Sequence, residues 1–195
     1  MEYSTFVKLA AEFFGTAILM IFGNGAVANV ELKNTKGHHA GWLNIAMGYG
    51  FGVMIPVLMF GAVSGAHINP AMTIAQAVNG LFDWSLVLPY IIAQLLGAAA
   101  GQLVVYITYY PHYKDTENAN AILGTFCTTD AHNDRINYFV NEFFGTLVLV
   151  FGAVLPVHAV GRSGPRCRFH RGRLHCVGSR DFHGRPDRSW PEPGP

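Results

Sequence analysis

Four long apolar segments restrict what this chain can fold into more than any other feature. A helix needs about 20 predominantly apolar residues to cross the hydrocarbon core of a bilayer. Four segments exceed that length: Phe6–Asn29, Trp42–Val63, Trp84–Tyr113 and Ile136–Gly161. With 51% hydrophobic and 13% charged residues overall, the sequence predicts an all-α, multi-pass protein of the cell membrane. The alternative is a soluble protein with very hydrophobic buried helices.

The polar residues show no pattern typical of an enzyme, a metal site or a nucleic-acid surface. The three cysteines, Cys127, Cys167 and Cys176, lack metal-binding spacing. The pair His38-His39 is interpreted as a solvated turn. No catalytic signature stands out, and the net charge of +1 gives no indication of a nucleic-acid partner. We therefore expect no enzymatic activity, no cofactor and no metal.

The stretch between the second and third apolar segments predicts an interrupted helix inside the membrane. Asn69 is a good N-cap. Pro70 suits the first position of a helix, because the N–H that it lacks would be unsatisfied there anyway. The helix predicted over residues 70–78 is too short to cross a bilayer. Irregular backbone at membrane depth is tolerated only where it is buried in protein or lines a watery cavity, so this half-helix indicates a pore or a solute site.

An internal repeat gives the half-helix an architectural context. The pentapeptide Glu-Phe-Phe-Gly-Thr occurs at Glu12–Thr16 and again at Glu142–Thr146. Three predicted spans separate the two starting points. Because each span crosses the membrane once, an odd number of spans makes the second copy enter the membrane from the opposite side. Inverted repeats place the solute site near the bilayer midplane, with interrupted helices pointing their N-termini at it. We predict an inverted-repeat helical bundle with four spans and one re-entrant half-helix.

The two repeat glutamates, Glu12 and Glu142, need an explanation of their own. A carboxylate inside a membrane helix is costly and by default marks a functional site. Irregular loops leave backbone N–H groups that need acceptors. We therefore predict that each glutamate braces a pore loop by accepting hydrogen bonds from its backbone. The alternative is a glutamate near the end of a span whose side chain extends to interfacial water.

Together these motifs resemble the major intrinsic protein family, the aquaporins and glycerol facilitators. The resemblance covers about residues 5–158 and adds Gln94 in the third span to the stretch Ser64–Ala71 and the two repeats. The long loop of residues 114–137 and the run of residues 23–29 resemble the glycerol-facilitator branch. The resemblance implies a passive channel that assembles as a homotetramer in the lipid bilayer. Each subunit is expected to conduct glycerol, water or other small uncharged solutes.

The resemblance also implies residue roles in the pore. The carbonyls of Gly65, Ala66 and His67, in the loop before the half-helix, are expected to line the inner pore. The Asn69 amide is expected to donate to the solute. Pro70 and Ala71 are expected to start the half-helix. We expect the backbone of His67, rather than its side chain, to matter. The positive end of the half-helix disfavours cations.

Tyr49 is the remaining residue to which the resemblance gives a role. It lies twenty residues before Asn69, where the family places the aromatic residue of its outer constriction. A tyrosine offers a ring for the carbon backbone of a solute and a hydroxyl for a hydrogen bond. Ordinary packing between helices is the alternative.

The last part of the chain departs from the family. Residues 159–195 hold 8 of the 13 Lys and Arg residues and 5 of the 10 prolines. The fifth span, the second Asn-Pro-Ala with its following arginine, and the sixth span that the family implies are not found there. One interpretation is a disordered basic tail after a channel domain of residues 1–158. The favoured interpretation is a shifted reading frame. When the codons of residues 190–195 are read one base later, they permit the sequence Gly-Leu-Asn-Pro-Ala.

Three functional readings follow from these observations. The first is a glycerol or small-solute channel, of which this chain supplies one half-pore and conducts poorly or not at all. The second is a non-conducting membrane fragment or regulatory short form of such a channel. The third is an unrelated inverted-repeat transporter, which needs ion-coupling acidic residues beyond Glu12 and Glu142. The few charged loop residues leave the orientation open.

Overall fold

The computed structural model describes residues 3–128, 134–163, 166–170 and 173–177. Within these ranges the helices and strands are α1 (Thr5–Glu31), α2 (Trp42–Ser64), α3 (Pro70–Val78), α4 (Trp84–Thr108), α5 (Tyr110–Asp115), α6 (Ala119–Gly124), α7 (Arg135–Ser163), β1 (Arg166–His170) and β2 (Arg173–Val177). Residues 1–142 form one compact unit and residues 143–195 form a second.

The helices match the predicted membrane architecture. By length and composition, α1, α2 and α4 are apolar enough to cross a membrane. The 29-residue α7 occupies the fourth apolar segment. The nine-residue α3 begins at Pro70, with the side chain of Asn69 accepting a hydrogen bond from the Ala71 N–H as its cap. Within residues 3–128 and 134–163 the predicted all-α membrane fold with a half-helix is confirmed.

The third apolar segment differs from the prediction in one respect. It was expected to continue as one span to Tyr113, but α4 ends at Thr108 and α5 begins at Tyr110. Pro111 explains the break. Proline lacks the N–H that would continue the helix, and its ring clashes with the carbonyl four residues earlier. The same residue is well accommodated in the first turn of α5.

Helix α1 packs against both α2 and α4, and glycines allow the close approach. Gly97 and Gly101 on α4 lie directly against the backbone of Phe13 and Ala17 on α1, where a Cβ atom would overlap it. Gly48 on α2 lies against α1 in the same way. Small residues at helix crossings let backbones approach closely in a membrane, where packing replaces the hydrophobic driving force.

The loop from α3 into α4 ends in a side-chain cap. Asp83 Oδ1 accepts a 2.9 Å hydrogen bond from the Ser85 N–H at the start of α4. That hydrogen bond lowers the pKa of the Asp83 carboxyl. The cap fixes where α4 starts, and α4 in turn packs against α3.

The second unit contains regular structure within the residues expected to form a disordered tail. Helix α7 continues to Ser163. Strands β1 and β2 pair antiparallel, with Cys167 opposite Cys176 in the register. The division of the chain at residue 158 and the reading frame beneath the tail stay predictions.

Candidate functional site

The loop between α2 and α3 has an unusual backbone. Gly65, Ala66 and Ile68 have positive φ angles of 90°, 45° and 43°. A β-branched residue with positive φ is a genuine outlier. Left-handed non-glycine residues cost on the order of 1–3 kcal/mol each and persist only where the surrounding structure determines them. Other groups must therefore hold this loop in place.

Glu12 is the group that holds the loop. Its carboxylate is fully buried on α1. Oε1 accepts hydrogen bonds from Ser64 Oγ at 2.6 Å and from the His67 N–H at 3.0 Å. Oε2 accepts from the Ile68 N–H at 2.7 Å and from Gln94 Nε2 at 2.8 Å. An ionised carboxylate has about four lone-pair sites, so these four donors use its full capacity.

A second layer of buried side chains connects the loop to α3 and α4. Gln94 Nε2 also donates to Thr73 Oγ1 at 3.0 Å, and Thr73 Oγ1 donates to the Asn69 carbonyl at 3.1 Å. The Tyr90 hydroxyl donates to the Ser64 carbonyl at 3.0 Å. Sequence reasoning assigned no separate role to Ser64, Thr73 or Tyr90. A polar residue inside an apolar segment was the available signal for Gln94 and Tyr90.

The His67 side chain is packed inside the protein. It is buried, with its ring centroid 4.7 Å from that of Phe82 and 5.4 Å from that of Tyr90. Its Nδ1 lies 3.2 Å from Thr73 Oγ1. The imidazole therefore fills the space behind the loop, while the backbone N–H of the same residue is held by Glu12.

Several polar groups of the loop are left without a partner in the described part of the chain. No described residue donates a hydrogen bond to the carbonyl oxygens of Gly65, Ala66 or His67. Asn69 Oδ1 accepts from the Ala71 N–H at 2.8 Å, and Asn69 Nδ2 donates to none of the described residues. Gly65 is exposed and Asn69 is partly exposed. Ala66 and His67 are 7% and 8% exposed as whole residues. The loop thus holds three unpartnered acceptors and one unpartnered amide donor on a rigid backbone.

Tyr49 lies away from this loop. It is fifteen residues before the end of α2 at Ser64, which is about 22 Å along the helix at 1.5 Å per residue. Its hydroxyl donates to Asn24 Oδ1 on α1, and its ring lies against Gly23. The structure therefore places Tyr49 in a second polar layer, distant from the one around Glu12.

Glu142, the repeat counterpart of Glu12, is exposed on α7. The described residues contain one half-helix loop, which is the loop that Glu12 holds. The bracing role expected of Glu142 stays a prediction. Among the described residues, no group of three or more His, Cys, Asp or Glu side chains is placed to hold a metal ion.

Comparisons with known proteins agree with this architecture. A sequence profile described as "Major intrinsic protein" matches residues 2–166. The chain is 55% identical over 153 residues to glycerol uptake facilitator protein-like 5 of Lactiplantibacillus plantarum, covering 75% of this chain and 61% of that protein. It is 52% identical over 163 residues to the glycerol facilitator-aquaporin gla of Lactococcus lactis subsp. cremoris, covering 79% of this chain and 56% of that protein.

A solved structure is also similar. The X-ray structure of the aquaglyceroporin from Plasmodium falciparum superposes with a TM-score of 0.53 at 34% sequence identity, over 57% of this chain and 45% of that one. The chain thus spans 56–61% of the length of the two bacterial relatives.

Proposed function

This chain belongs to the major intrinsic protein family, and we propose that its channel-like part, residues 1–158, supplies one half of a passive pore for glycerol and other small uncharged solutes. The observation that carries the proposal is the unpartnered set of groups on the half-helix loop. The carbonyls of Gly65, Ala66 and His67 and the Asn69 amide receive no hydrogen bond partner from the described residues. The names of the relatives support glycerol as the solute.

The chemistry of the loop suits a polyol. Each hydroxyl of a polyol both donates and accepts a hydrogen bond, and the loop offers acceptors followed by a donor. A cation meets the N-terminus of α3, which carries roughly half a positive charge from its aligned peptide dipoles. Uncharged solutes are therefore favoured over cations. A homotetramer in the bilayer, as in the family, is part of the proposal.

The buried carboxylate makes the loop a fixed site. Glu12 binds the N–H groups of His67 and Ile68, so the carbonyls of the same loop segment cannot turn to pair with them. A solute then meets polar groups that are already oriented and pays little to reorganise them.

Half of a pore is not expected to conduct well. The 195-residue sequence contains one Asn-Pro-Ala, and an inverted-repeat channel uses two such half-helices that meet from opposite sides. We propose that the 195-residue chain alone conducts poorly or not at all. The alternative function is that of a non-conducting fragment or regulatory short form, and the same experiment distinguishes it.

The test is stopped-flow glycerol uptake into proteoliposomes. One sample contains the 195-residue chain, and a second contains a chimera that joins residues 1–158 to the corresponding C-terminal part of the Lactococcus lactis relative. We expect rapid uptake with the chimera and uptake near that of empty liposomes with the chain alone. A folded, inserted chimera without glycerol uptake would contradict the channel function. Rapid uptake by the 195-residue chain would contradict the half-pore proposal.

A further inference from the structure

A second polar layer, with the buried Asn24 at its centre, connects α1, α2 and α4 far from Glu12. Asn24 is twelve residues after Glu12, about 18 Å along α1 at 1.5 Å per residue. It is 3% exposed. We propose that Gly23 and Asn24 hold the Tyr49 side chain in one orientation, and that Gln102 holds the Asn24 amide in one orientation. These three residues are positioning residues, and their effect on solute choice rests on the proposed function.

Gly23 provides the surface on which the Tyr49 ring lies. A Cβ atom at this position would overlap the Tyr49 ring and approach its Cζ atom to 2.9 Å. The aromatic ring therefore lies directly on the backbone of α1. Any residue with a Cβ atom at position 23 would force the ring away from that backbone. Gly25 offers a contrast on the same helix. A Cβ atom there would meet Val105 Cγ2 at 3.9 Å, which is an ordinary contact.

Asn24 fixes the other end of the ring. The Tyr49 hydroxyl donates to Asn24 Oδ1, and Asn24 Nδ2 donates to Gln102 Oε1 at 2.6 Å. Because Gln102 takes the amide nitrogen, the amide oxygen of Asn24 must face Tyr49. A hydrogen bond is electrostatically stronger in the low-dielectric interior than in water, so these two hydrogen bonds hold the Tyr49 hydroxyl on Asn24.

Gly23 covers one face of the Tyr49 ring and Asn24 binds its hydroxyl, so the other face of the ring is available. The side chain is 37% exposed although its ring rests on Gly23 and its hydroxyl on Asn24. Asn24 itself is buried and cannot reach a solute. One face of the Tyr49 ring is therefore exposed in a fixed orientation. Gly23 and Asn24 set that orientation from the opposite face and from the hydroxyl. In the proposed channel, this orientation sets the width that a solute encounters at Tyr49.

The experiment follows Tyr49 directly in the 195-residue chain. The protein is labelled with 3-fluorotyrosine and placed in lipid nanodiscs, and the ¹⁹F resonance of Tyr49 is assigned by its loss in Tyr49→Phe. Gly23→Ala and Asn24→Leu are then compared with the control Gly25→Ala. We expect the Tyr49 resonance to move or broaden in the first two variants and to stay unchanged in the control. Gln102→Leu is expected to broaden it, because the Asn24 amide can then turn.

A conservative variant separates positioning from simple loss of stability. Asn24→Asp keeps an acceptor for the Tyr49 hydroxyl. Gln102 Nε2, which is buried without a partner among the described residues, can then turn to donate to the second carboxylate oxygen. The carboxylate beside the hydroxyl shifts the ¹⁹F resonance by its charge, but we expect Asn24→Asp to keep a single Tyr49 resonance as narrow as in the parent, even where its melting temperature falls as in Asn24→Leu. An unchanged Tyr49 resonance in Gly23→Ala or Asn24→Leu would overturn the proposal. Because the readout needs no conduction, a failure of the channel function would leave this result intact.

Discussion

The Glu12 carboxylate accepts a 2.7 Å hydrogen bond from the backbone N–H of Ile68, a β-branched residue with a φ of 43°. The two residues are 56 positions apart and belong to α1 and to the half-helix loop. The conformation of Ile68 is unfavourable by itself, on the order of 1–3 kcal/mol, and the buried acceptor offsets that cost. A polar residue inside an apolar helix thereby determines the backbone of a distant loop.

This relationship predicts that Glu12→Gln destabilises the protein. A glutamine amide has one acceptor oxygen, and its NH₂ group faces donors in place of the second oxygen. The Ser64 hydroxyl can accept from the new NH₂ group and the Gln94 amide can turn its oxygen to it, but the N–H of His67 or of Ile68 loses its acceptor. A buried donor left unsatisfied costs about 1–3 kcal/mol. Unfolding of the detergent-solubilised protein measures the loss, and hydrogen exchange of the His67 and Ile68 amides is expected to accelerate.

The repeat supplies a matched control for this substitution. Glu142 has the same sequence context, Glu-Phe-Phe-Gly-Thr, but it is exposed. Glu142→Gln is expected to change the free energy of unfolding by no more than about 0.5 kcal/mol. Equal stability of the two variants would show that Glu12 does not hold the loop.

The crossing of α1 and α4 predicts a second stability difference. Gly97→Ala adds a methyl group where the Phe13 backbone already lies. Overpacking of this kind costs typically 1–3 kcal/mol, so we expect a loss of about that size. Gly50→Ala is the control, since a Cβ atom there has nothing within 4 Å. Thermal unfolding of the two variants under the same detergent conditions measures the difference, and a Gly97→Ala protein as stable as Gly50→Ala would contradict the close packing.

Local patterns predicted the helices well because their signals are local. The start of α3 at Pro70 follows from an N-cap and a proline, and α2 begins at Trp42 as expected. The end of α4 at Thr108 was missed, although Pro111 in the next turn is a recognised stop signal. Aromatic and apolar residues through Tyr113 obscured it.

The site was less predictable because its partners are distant in sequence. The Glu12–Gln94 hydrogen bond joins residues 82 positions apart, and the Asn24–Gln102 hydrogen bond joins residues 78 apart. No period or spacing in a single sequence links such pairs. The left-handed Ile68 is unpredictable for a further reason, since its residue type disfavours that conformation. Only the packed helices reveal what compensates for it.

Asn69 has two roles in the proposed function, and two substitutions separate them. Asn69→Ser keeps a side-chain oxygen for the cap on the Ala71 N–H and removes the amide donor. Asn69→Ala removes both. We expect Asn69→Ala to lose about 1 kcal/mol of stability and Asn69→Ser to lose little. In the chimera, glycerol uptake is expected to fall in both variants. Full glycerol uptake in Asn69→Ser would show that the amide does not donate to the solute.

The reading-frame hypothesis makes a prediction about the coding DNA. The family profile matches only as far as residue 166, and residues 190–195, Trp-Pro-Glu-Pro-Gly-Pro, have codons that permit Gly-Leu-Asn-Pro-Ala one base later. A second Asn-Pro-Ala at that position would supply the half-helix that an inverted repeat requires. Sequencing the gene and reading this frame from codon 158 is the measurement. We expect an apolar segment beneath residues 163–178 followed by Asn-Pro-Ala, and stop codons or clustered charged residues there would reject the hypothesis.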